Sequence, residues 1–227
     1  MQQANSLPDF RAVILDLDGL ILDTEAGYFR AWQQAARAMG YNLPEDFCRG
    51  LSGRHYQEVE RLVCRMLGPE FQLQEFRRSS GRYWRELVNR DGIAIKEGFF
   101  SLFKVLQQFA IPYCLATNSL AENARECLEF AGLQDHFPLR VCRDNVARGK
   151  PAPDLFLYAA KTLGVAIGDC LIVEDSVTGI AAAAQTGAFG ILIPSQAQVE
   201  PQTRAMADLL LPSLTELAAL LARHMQH

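Results

Sequence analysis

The sequence predicts an α/β protein whose core is a doubly wound parallel sheet, Rossmann-like in organisation, with an inserted α-helical cap domain. Three observations favour this fold. Short apolar runs recur along the chain, amphipathic helical patterns separate them, and one long stretch near the N-terminus has no such run. Apolar strands that alternate with helices indicate a parallel sheet covered on both faces. We expect residues 1–23 and 96–227 to form the core domain and residues 24–95 to form the cap.

Six apolar runs are the predicted strands of the core. Their apolar character is continuous rather than alternating, which is typical of strands buried on both faces. They are residues 12–18 (AVILDLD), 112–118 (PYCLATN), 139–142 (LRVC), 170–175 (CLIVED), 188–194 (AFGILIP) and 207–212 (ADLLLP).

Helical patterns fill the intervals between these runs. Those of the core are predicted over residues 120–131, 154–163, 178–186 and 213–225. The first three end at Gly132, Gly164 and Gly187, and glycine is the residue that most readily takes the left-handed conformation after a helix. Within the inserted stretch, the predicted helices are residues 25–39, 55–67 and 73–90.

Composition and charge exclude several classes of protein. The 227 residues are 49% apolar and 21% charged, and no apolar run is long enough to cross a bilayer. The N-terminal MQQANSLPDF lacks the features of a secretory signal, so we expect a cytoplasmic protein without a membrane partner. The net charge of −4 and the scattered Lys and Arg residues disfavour nucleic acid. The six cysteines form no C-x-x-C pair, which disfavours structural zinc and a disulfide framework. A monomer is expected.

Polar residues gather at the ends of the predicted strands. Ligands of open parallel sheets bind at the carboxyl ends of the strands, so residues at those ends are expected to converge. They are Asp16 and Asp18 at the end of the first strand, Thr117 and Asn118 at the end of the second, Glu174 and Asp175 at the end of the fourth, and Lys150 ahead of the helix at 154.

This set of residues suits phosphoryl transfer. Carboxylates without cysteine or histidine favour a hard divalent cation such as Mg²⁺. Asp16 could attack phosphorus to give an aspartyl-phosphate, and Asp18 could protonate the leaving alkoxide and later accept a proton from water. Lys150 and the Thr117 hydroxyl would offset the charge of the phosphoryl group. Gly19 would let the chain turn without a Cβ that crowds the ligand.

Each feature alone has a plainer interpretation. Asp16-Leu17-Asp18-Gly19 could be a strand end with an Asx turn, and Thr117-Asn118-Ser119 could be a helix N-cap. Lys150 could be a solvated side chain, and Glu174-Asp175 a polar strand end. The functional interpretation depends on all four features occurring together at one edge of the sheet.

The sequence resembles the haloacid dehalogenase superfamily over roughly residues 11 to 220. The first motif of that family, D-x-D-G-[TVL]-[LI]-x-D-[ST], is matched by residues 16–24. The strand-end Thr or Ser is matched by Thr117, the Lys of G-K-P-x-P-D by Lys150, and the E-D pair by Glu174-Asp175. The helical insertion resembles the C1 cap of the family, and the branch looks like that of β-phosphoglucomutase and the sugar-phosphate phosphatases.

The resemblance implies roles for these residues. Mg²⁺ would be held by the Asp16 carboxylate, the Asp18 main-chain oxygen and Asp175, with Glu174 bound directly or one shell further out. Lys150 would neutralise the nucleophile and the phosphate. The Thr117 hydroxyl and the Asn118 N–H would bind the transferring group. In the cap, Arg54 resembles an arginine that reaches the substrate, although a surface arginine at a helix start remains the alternative.

One departure bears on the reaction. Tyr28-Phe29-Arg30-Ala31-Trp32 parallels the H-F-R-A-W segment of the mutase, but a tyrosine replaces the histidine. We therefore expect a Mg²⁺-dependent phosphatase that acts on a small phosphorylated metabolite, such as a sugar phosphate. The alternatives are a β-phosphoglucomutase-type phosphomutase and a non-catalytic protein that binds a phosphorylated ligand.

Overall fold

The computed structural model describes residues 7–51, 56–195 and 199–226. These residues form two compact units. The first contains the chain up to Leu22 and from Ile95 onward, and the second is Asp23–Ala94. Each unit has a hydrophobic core of its own. None of the helices in the described part of the chain has the length and apolar character that a membrane span requires.

The first unit is built on a six-stranded sheet in the order β3-β2-β1-β4-β5-β6, and every strand pair is parallel. The strands are β1 Ala12–Leu15, β2 Tyr113–Ala116, β3 Arg140–Val141, β4 Cys170–Glu174, β5 Phe189–Leu192 and β6 Leu209–Leu210. The predicted fold class is confirmed. Because β1 lies between β2 and β4, the three strands that lead into the polar motifs are direct neighbours.

The second unit is helical in its described residues. It contains α1 Thr24–Ala38, α2 Glu45–Arg49, α3 Tyr56–Leu67 and α4 Leu73–Asp91. The short helix α2 was not predicted, because five residues are too few to show a helical period. Small side chains of α1, such as Ala35 and Ala36, pack in the apolar core of this unit.

The helices of the first unit are α5 Phe99–Gln108, α6 Ala121–Phe130, α7 Asp154–Leu163, α8 Val177–Ala183, α9 Pro201–Met206 and α10 Leu214–His224. Short 3₁₀ turns occur at Arg143–Asn145 and Ile167–Asp169. The predicted helix over residues 178–186 ends earlier, at Ala183, and Gly187 takes its positive φ of 80° beyond that end. Helices α5 and α9 were not predicted.

The first two residues of α5 are both aromatic, but they differ in burial. Phe99 is 1% exposed, but Phe100 is 57% exposed. Successive residues of a helix point about 100° apart, so the two neighbours cannot face the core together. Helix α5 therefore buries Phe99 and leaves Phe100 exposed.

Candidate active site

The carboxyl edge of β1, β2 and β4 carries the predicted polar residues. Asp16 follows β1 directly, and its N–H donates to the Val173 carbonyl at 3.1 Å. Thr117 follows β2, and its N–H donates to the Val141 carbonyl at 2.9 Å. These bonds extend the ladder of the sheet by one residue, so the backbone that carries each functional side chain is fixed by its neighbouring strand.

Three carboxylates lie together at this edge. One oxygen from each of Asp16, Glu174 and Asp175 lies within 4.8 Å of the others. Asp16 is 6% exposed and Glu174 is fully buried. An all-oxygen donor set of this kind fits a hard divalent cation such as Mg²⁺ and does not suit a soft metal.

Lys150 reaches this group from the loop before α7. Its side chain is buried, and its ammonium donates to Asp16 Oδ1 and to the Ala116 carbonyl at 2.7 Å. It also forms an ion pair with Glu174 Oε1 at 2.5 Å. The ammonium group thus contacts three protein oxygens, and Lys150 links the residue after β1 to the end of β4.

The charges of this cluster do not balance. Burial raises the pKa of Asp16 to about 8, and Glu174 and Asp18 add to the rise, although Lys150 opposes it. Burial also disfavours the charged form of Lys150, but Asp16 and Glu174 raise its pKa above the usual range. Two buried carboxylates therefore share one ammonium, and one negative charge is left over. A proton or a divalent cation can offset that charge, which is a second reason why the cluster fits Mg²⁺.

Asp18 has different surroundings. Its Oδ2 accepts from Ser119 Oγ at 2.7 Å and from Thr117 Oγ1 at 3.2 Å. The carboxylate of Asp18 is outside the group of three that could hold a metal. Two aspartates separated by one residue are thus held by different partners, Asp16 by an ammonium and Asp18 by hydroxyls.

Ser119 is a site residue that the sequence reasoning missed. The alternative interpretation of Thr117-Asn118-Ser119 as a helix N-cap is wrong, because the N-cap of α6 is Leu120 and no side chain caps it. The N–H of Ala121 instead donates to Asp144 Oδ1 at 3.0 Å. The only sequence signal for Ser119 was a second hydroxyl directly after a strand-end motif.

Glu174 is held at both of its oxygens. While Oε1 pairs with Lys150, Oε2 accepts from Ser176 Oγ at 3.1 Å and from the Asp175 N–H at 3.2 Å. Ser176 also caps α8, since its Oγ accepts from the Gly179 N–H at 3.0 Å. The start of α8 and the carboxylate of Glu174 are therefore fixed by the same hydroxyl.

Two glycines make room for the carboxylates. A Cβ on Gly19, whose φ is +88°, would lie 2.1 Å from Asp175 Oδ2. A Cβ on Gly179 would lie 1.9 Å from the Cδ of Glu174. Gly19 was expected to matter for a turn, and the close approach of Asp175 is an additional reason. Gly179 was not singled out from the sequence.

The remaining predicted residues belong to the other unit. Arg54 lies outside the described residues. The Tyr28 ring stacks on Trp84 with ring centroids 5.4 Å apart and an interplanar angle of 8°. Its neighbour on the same face of α1, Trp32, stacks on it from the next turn, with centroids 6.2 Å apart.

Known proteins resemble the chain over nearly its whole length. Hexitol phosphatase A of Escherichia coli is 30% identical over 209 residues, which cover 91% of this chain and 93% of the relative. Beta-phosphoglucomutase of Bacillus subtilis is 31% identical over 187 residues, which cover 80% of this chain and 82% of the relative. The crystal structure of a HAD family hydrolase from Deinococcus radiodurans with bound phosphate and sodium has a TM-score of 0.77 at 26% identity. That match covers 95% of this chain and 96% of the other.

A family profile agrees with these similarities. The profile of the haloacid dehalogenase-like hydrolases matches residues 10–187, a range that contains the ends of β1, β2 and β4 and the loop with Lys150. The family predicted from the sequence motifs is thereby confirmed, as is the prediction of an enzyme of the hydrolase class. The chain belongs to the haloacid dehalogenase-like hydrolase family.

Proposed function

We propose that this hydrolase is a Mg²⁺-dependent phosphatase that cleaves small phosphate monoesters, such as sugar phosphates, through an aspartyl-phosphate intermediate. The observation that supports this most directly is the different environment of the two aspartates that follow β1. Asp16 contacts the ammonium of Lys150, whereas Asp18 accepts hydrogen bonds from two hydroxyls. Such a difference suits a nucleophile and a proton carrier that act in sequence.

Asp16 is the nucleophile in this proposal. Its carboxylate oxygen attacks the phosphorus of the ester, the bond from phosphorus to the ester oxygen breaks, and the phosphoryl group is transferred to Asp16. Lys150 fixes the orientation of the carboxylate through Oδ1 and keeps a positive charge beside it. The Thr117 hydroxyl and the Asn118 N–H, at the end of β2, are proposed to bind the phosphoryl oxygens.

Asp18 is the acid and base. It donates a proton to the departing alkoxide, and then takes a proton from the water that attacks the aspartyl-phosphate. Ser119 and Thr117 direct its carboxylate through bonds of 2.7 and 3.2 Å. Ser119 holds Asp18 in one orientation through both half-reactions, while the single hydroxyl proton of Thr117 turns from Asp18 to a phosphoryl oxygen when the ester binds.

Mg²⁺ is proposed to be held by the carboxylates of Asp16, Asp175 and Glu174 and by the main-chain oxygen of Asp18. When bound, the ion supplies positive charge for the phosphoryl oxygens and offsets the surplus negative charge of the carboxylates.

The substrate class is inferred from the relatives. Hexitol phosphatase A is named for the phosphate of a sugar alcohol, and the structure from Deinococcus radiodurans contains phosphate. The helical unit Asp23–Ala94 is proposed to act as a cap that selects the leaving group, with Arg54 as a candidate contact.

Release of inorganic phosphate tests the proposal. The protein is incubated with a panel of hexose, pentose and hexitol phosphates, with Mg²⁺ or with EDTA. We expect hydrolysis of at least one ester, loss of the activity with EDTA and its recovery on addition of Mg²⁺. The Asp16→Asn variant is the control for contaminating phosphatases. If the whole panel remains uncleaved, or if EDTA has no effect, the proposal is wrong.

A phosphomutase is the second candidate, because a beta-phosphoglucomutase is 31% identical to the chain. The tyrosine at position 28 argues against it, since its ring stacks on Trp84 where the mutase segment has a histidine. A coupled assay with glucose-6-phosphate dehydrogenase distinguishes the two reactions, with β-glucose 1-phosphate as substrate and a bisphosphate primer present. We expect phosphate release to exceed isomer formation, and a tenfold excess of isomer formation would establish the mutase instead.

A further inference from the structure

The side chain of Asn118 forms two hydrogen bonds with the backbone of Lys150, 32 residues further along the chain. Asn118 Oδ1 accepts from the Lys150 N–H at 2.8 Å, and Asn118 Nδ2 donates to the Lys150 carbonyl at 3.1 Å. A peptide N–H can only donate and a carbonyl can only accept, so these partners fix the orientation of the amide. We propose that Asn118 is a positioning residue that acts on the reaction through Lys150. This role belongs to its side chain and is separate from the phosphate contact proposed for its N–H.

The loop around Lys150 is shaped to accept this amide. A Cβ on Gly149 would lie 2.4 Å from Asn118 Oδ1 and 2.6 Å from the Cδ of Arg143. The Arg143 guanidinium in turn donates to the carbonyls of Val146 at 2.9 Å and Ala147 at 3.2 Å. Glycine at position 149 thus allows the Asn118 side chain to reach the backbone of the next residue.

The position of the Lys150 backbone determines where its ammonium lies. The Nζ atom must reach Asp16, Glu174 and the Ala116 carbonyl at the same time. A lysine has four rotatable side-chain bonds, so three simultaneous contacts need a fixed starting point for the chain of carbons. Asn118 provides it by holding both the N–H and the carbonyl of the residue. Because Asn118 directly follows Thr117, the same strand end places the phosphate-binding hydroxyl and the ammonium.

The inference rests on the proposed function for its kinetic consequences. Asn118→Ala removes both hydrogen bonds without adding charge. We expect kcat to fall about 10- to 100-fold, the cost of a small displacement of a catalytic group, with KM changed by less than about twofold. In a Lys150→Ala background, Asn118→Ala is expected to lower kcat by less than about twofold, because the residue through which it acts is gone.

A measurement without substrate tests the geometry directly. The chain has four lysines, Lys96, Lys104, Lys150 and Lys161. Acetylation with acetic anhydride, followed by peptide mass spectrometry, reports how often each amine is accessible and uncharged. In the wild type, Lys150 is expected to be protected relative to the exposed Lys104 and Lys161. In Asn118→Ala the acetylation rate of Lys150 should rise by about five- to tenfold, as the loss of one or two net hydrogen bonds predicts. The acetylation rates of Lys104 and Lys161 should stay the same.

Asn145→Ala is the matched control. Asn145 belongs to the same loop, and its Oδ1 accepts from the Cys142 N–H at 2.7 Å, but its side chain does not hydrogen-bond to Lys150. This variant should leave the acetylation of Lys150 within about twofold of the wild type. If Asn145→Ala raises the acetylation rate of Lys150 as much as Asn118→Ala does, general loosening of the loop explains the result and the inference is wrong.

Gly149→Ala perturbs the contact between Asn118 and the Lys150 backbone by a change in the loop instead of in Asn118. It replaces Asn118→Ala in the test if that variant does not fold. It should expose Lys150 to acetylation and lower kcat as Asn118→Ala does. Unchanged acetylation of Lys150 in both variants would overturn the inference, as would an equal loss of kcat from Asn118→Ala with and without Lys150. If the wild type cleaves no ester, the proposed function fails, yet the acetylation experiment still decides whether Asn118 positions Lys150.

Discussion

Gly179→Ala is the substitution whose effect can be worked out most fully from the structure. Gly179 lies in α8, and the added Cβ would come within 1.9 to 2.1 Å of the Cδ and both oxygens of Glu174. Glu174 has no exposed surface, so its carboxylate cannot move into solvent. It must therefore shift against Lys150 or against Ser176, and either movement breaks contacts that hold a buried charge.

The expected cost follows from two opposing contributions. Breaking a buried ion pair by displacing one partner costs about 3–5 kcal/mol. Replacing glycine with alanine inside a helix contributes about 1 kcal/mol in the stabilising direction. The free energy of unfolding should thus fall by about 2–4 kcal/mol, a large part of the roughly 5–15 kcal/mol that stabilises a typical domain.

Gly81→Ala is the matched control, because Gly81 lies inside α4 and a Cβ there would meet no atom within 4 Å. It should stabilise the protein by about 0.5–1 kcal/mol. Urea unfolding is followed by far-UV circular dichroism for the whole chain, and by fluorescence for the helical unit, which contains both tryptophans, Trp32 and Trp84. A Gly179→Ala variant within about 0.5 kcal/mol of the wild type would refute the steric argument.

Three further predictions concern the site. Asp16→Asn should lower phosphate release more than about a hundredfold, or roughly 3 kcal/mol, while circular dichroism shows an intact fold; a smaller loss would exclude Asp16 as the nucleophile. Ser119→Ala removes the shorter hydrogen bond to Asp18 and should lower kcat about five- to tenfold with little change in KM, as steady-state kinetics would show. Because burial raises the pKa of Asp16 from 3.8 to about 8, the folded state binds the extra proton more tightly than the unfolded state. Without a divalent cation, the free energy of unfolding should consequently fall as the pH rises from about 4 to 8, by up to about 1.4 kcal/mol per pH unit. In calorimetric melts, saturating Mg²⁺ should reduce this dependence on pH. An equal dependence with and without Mg²⁺ would contradict this reasoning.

The strands of the core could be predicted because their signals are local. Each strand of the core is an apolar run, and a parallel sheet brings the carboxyl ends of neighbouring strands to one edge. The ends of the strands were less certain. The first run was predicted to extend to residue 18, but β1 ends at Leu15, and only the N–H of Asp16 continues the ladder. Beyond that point the chain turns, and Gly19 takes a φ of +88°.

Short helices and the hydrogen-bond partners of side chains could not be predicted from the sequence. Helix α9 has six residues, Pro201–Met206, too few for a clear period. The hydrogen bond from Ser119 to Asp18 joins residues 101 positions apart, and the hydrogen bond from Asn118 to the Lys150 carbonyl joins residues 32 positions apart. Such contacts depend on the direction of each side chain after folding. A sequence motif gives the residue type and the strand end, but it does not give that direction.

The contacts also explain why the motifs are specific only as a set. Gly19, in the first motif, leaves the space that Asp175 of the fourth motif occupies, since a Cβ there would lie 2.1 Å from its Oδ2. Asn118, beside the second motif, holds the backbone of Lys150, the lysine of the third. In both cases a residue without reactive chemistry in one motif positions a charged residue of another. A substitution in one motif therefore displaces a charged residue of another motif. For this reason an aspartate pair alone at a strand end would not form this site.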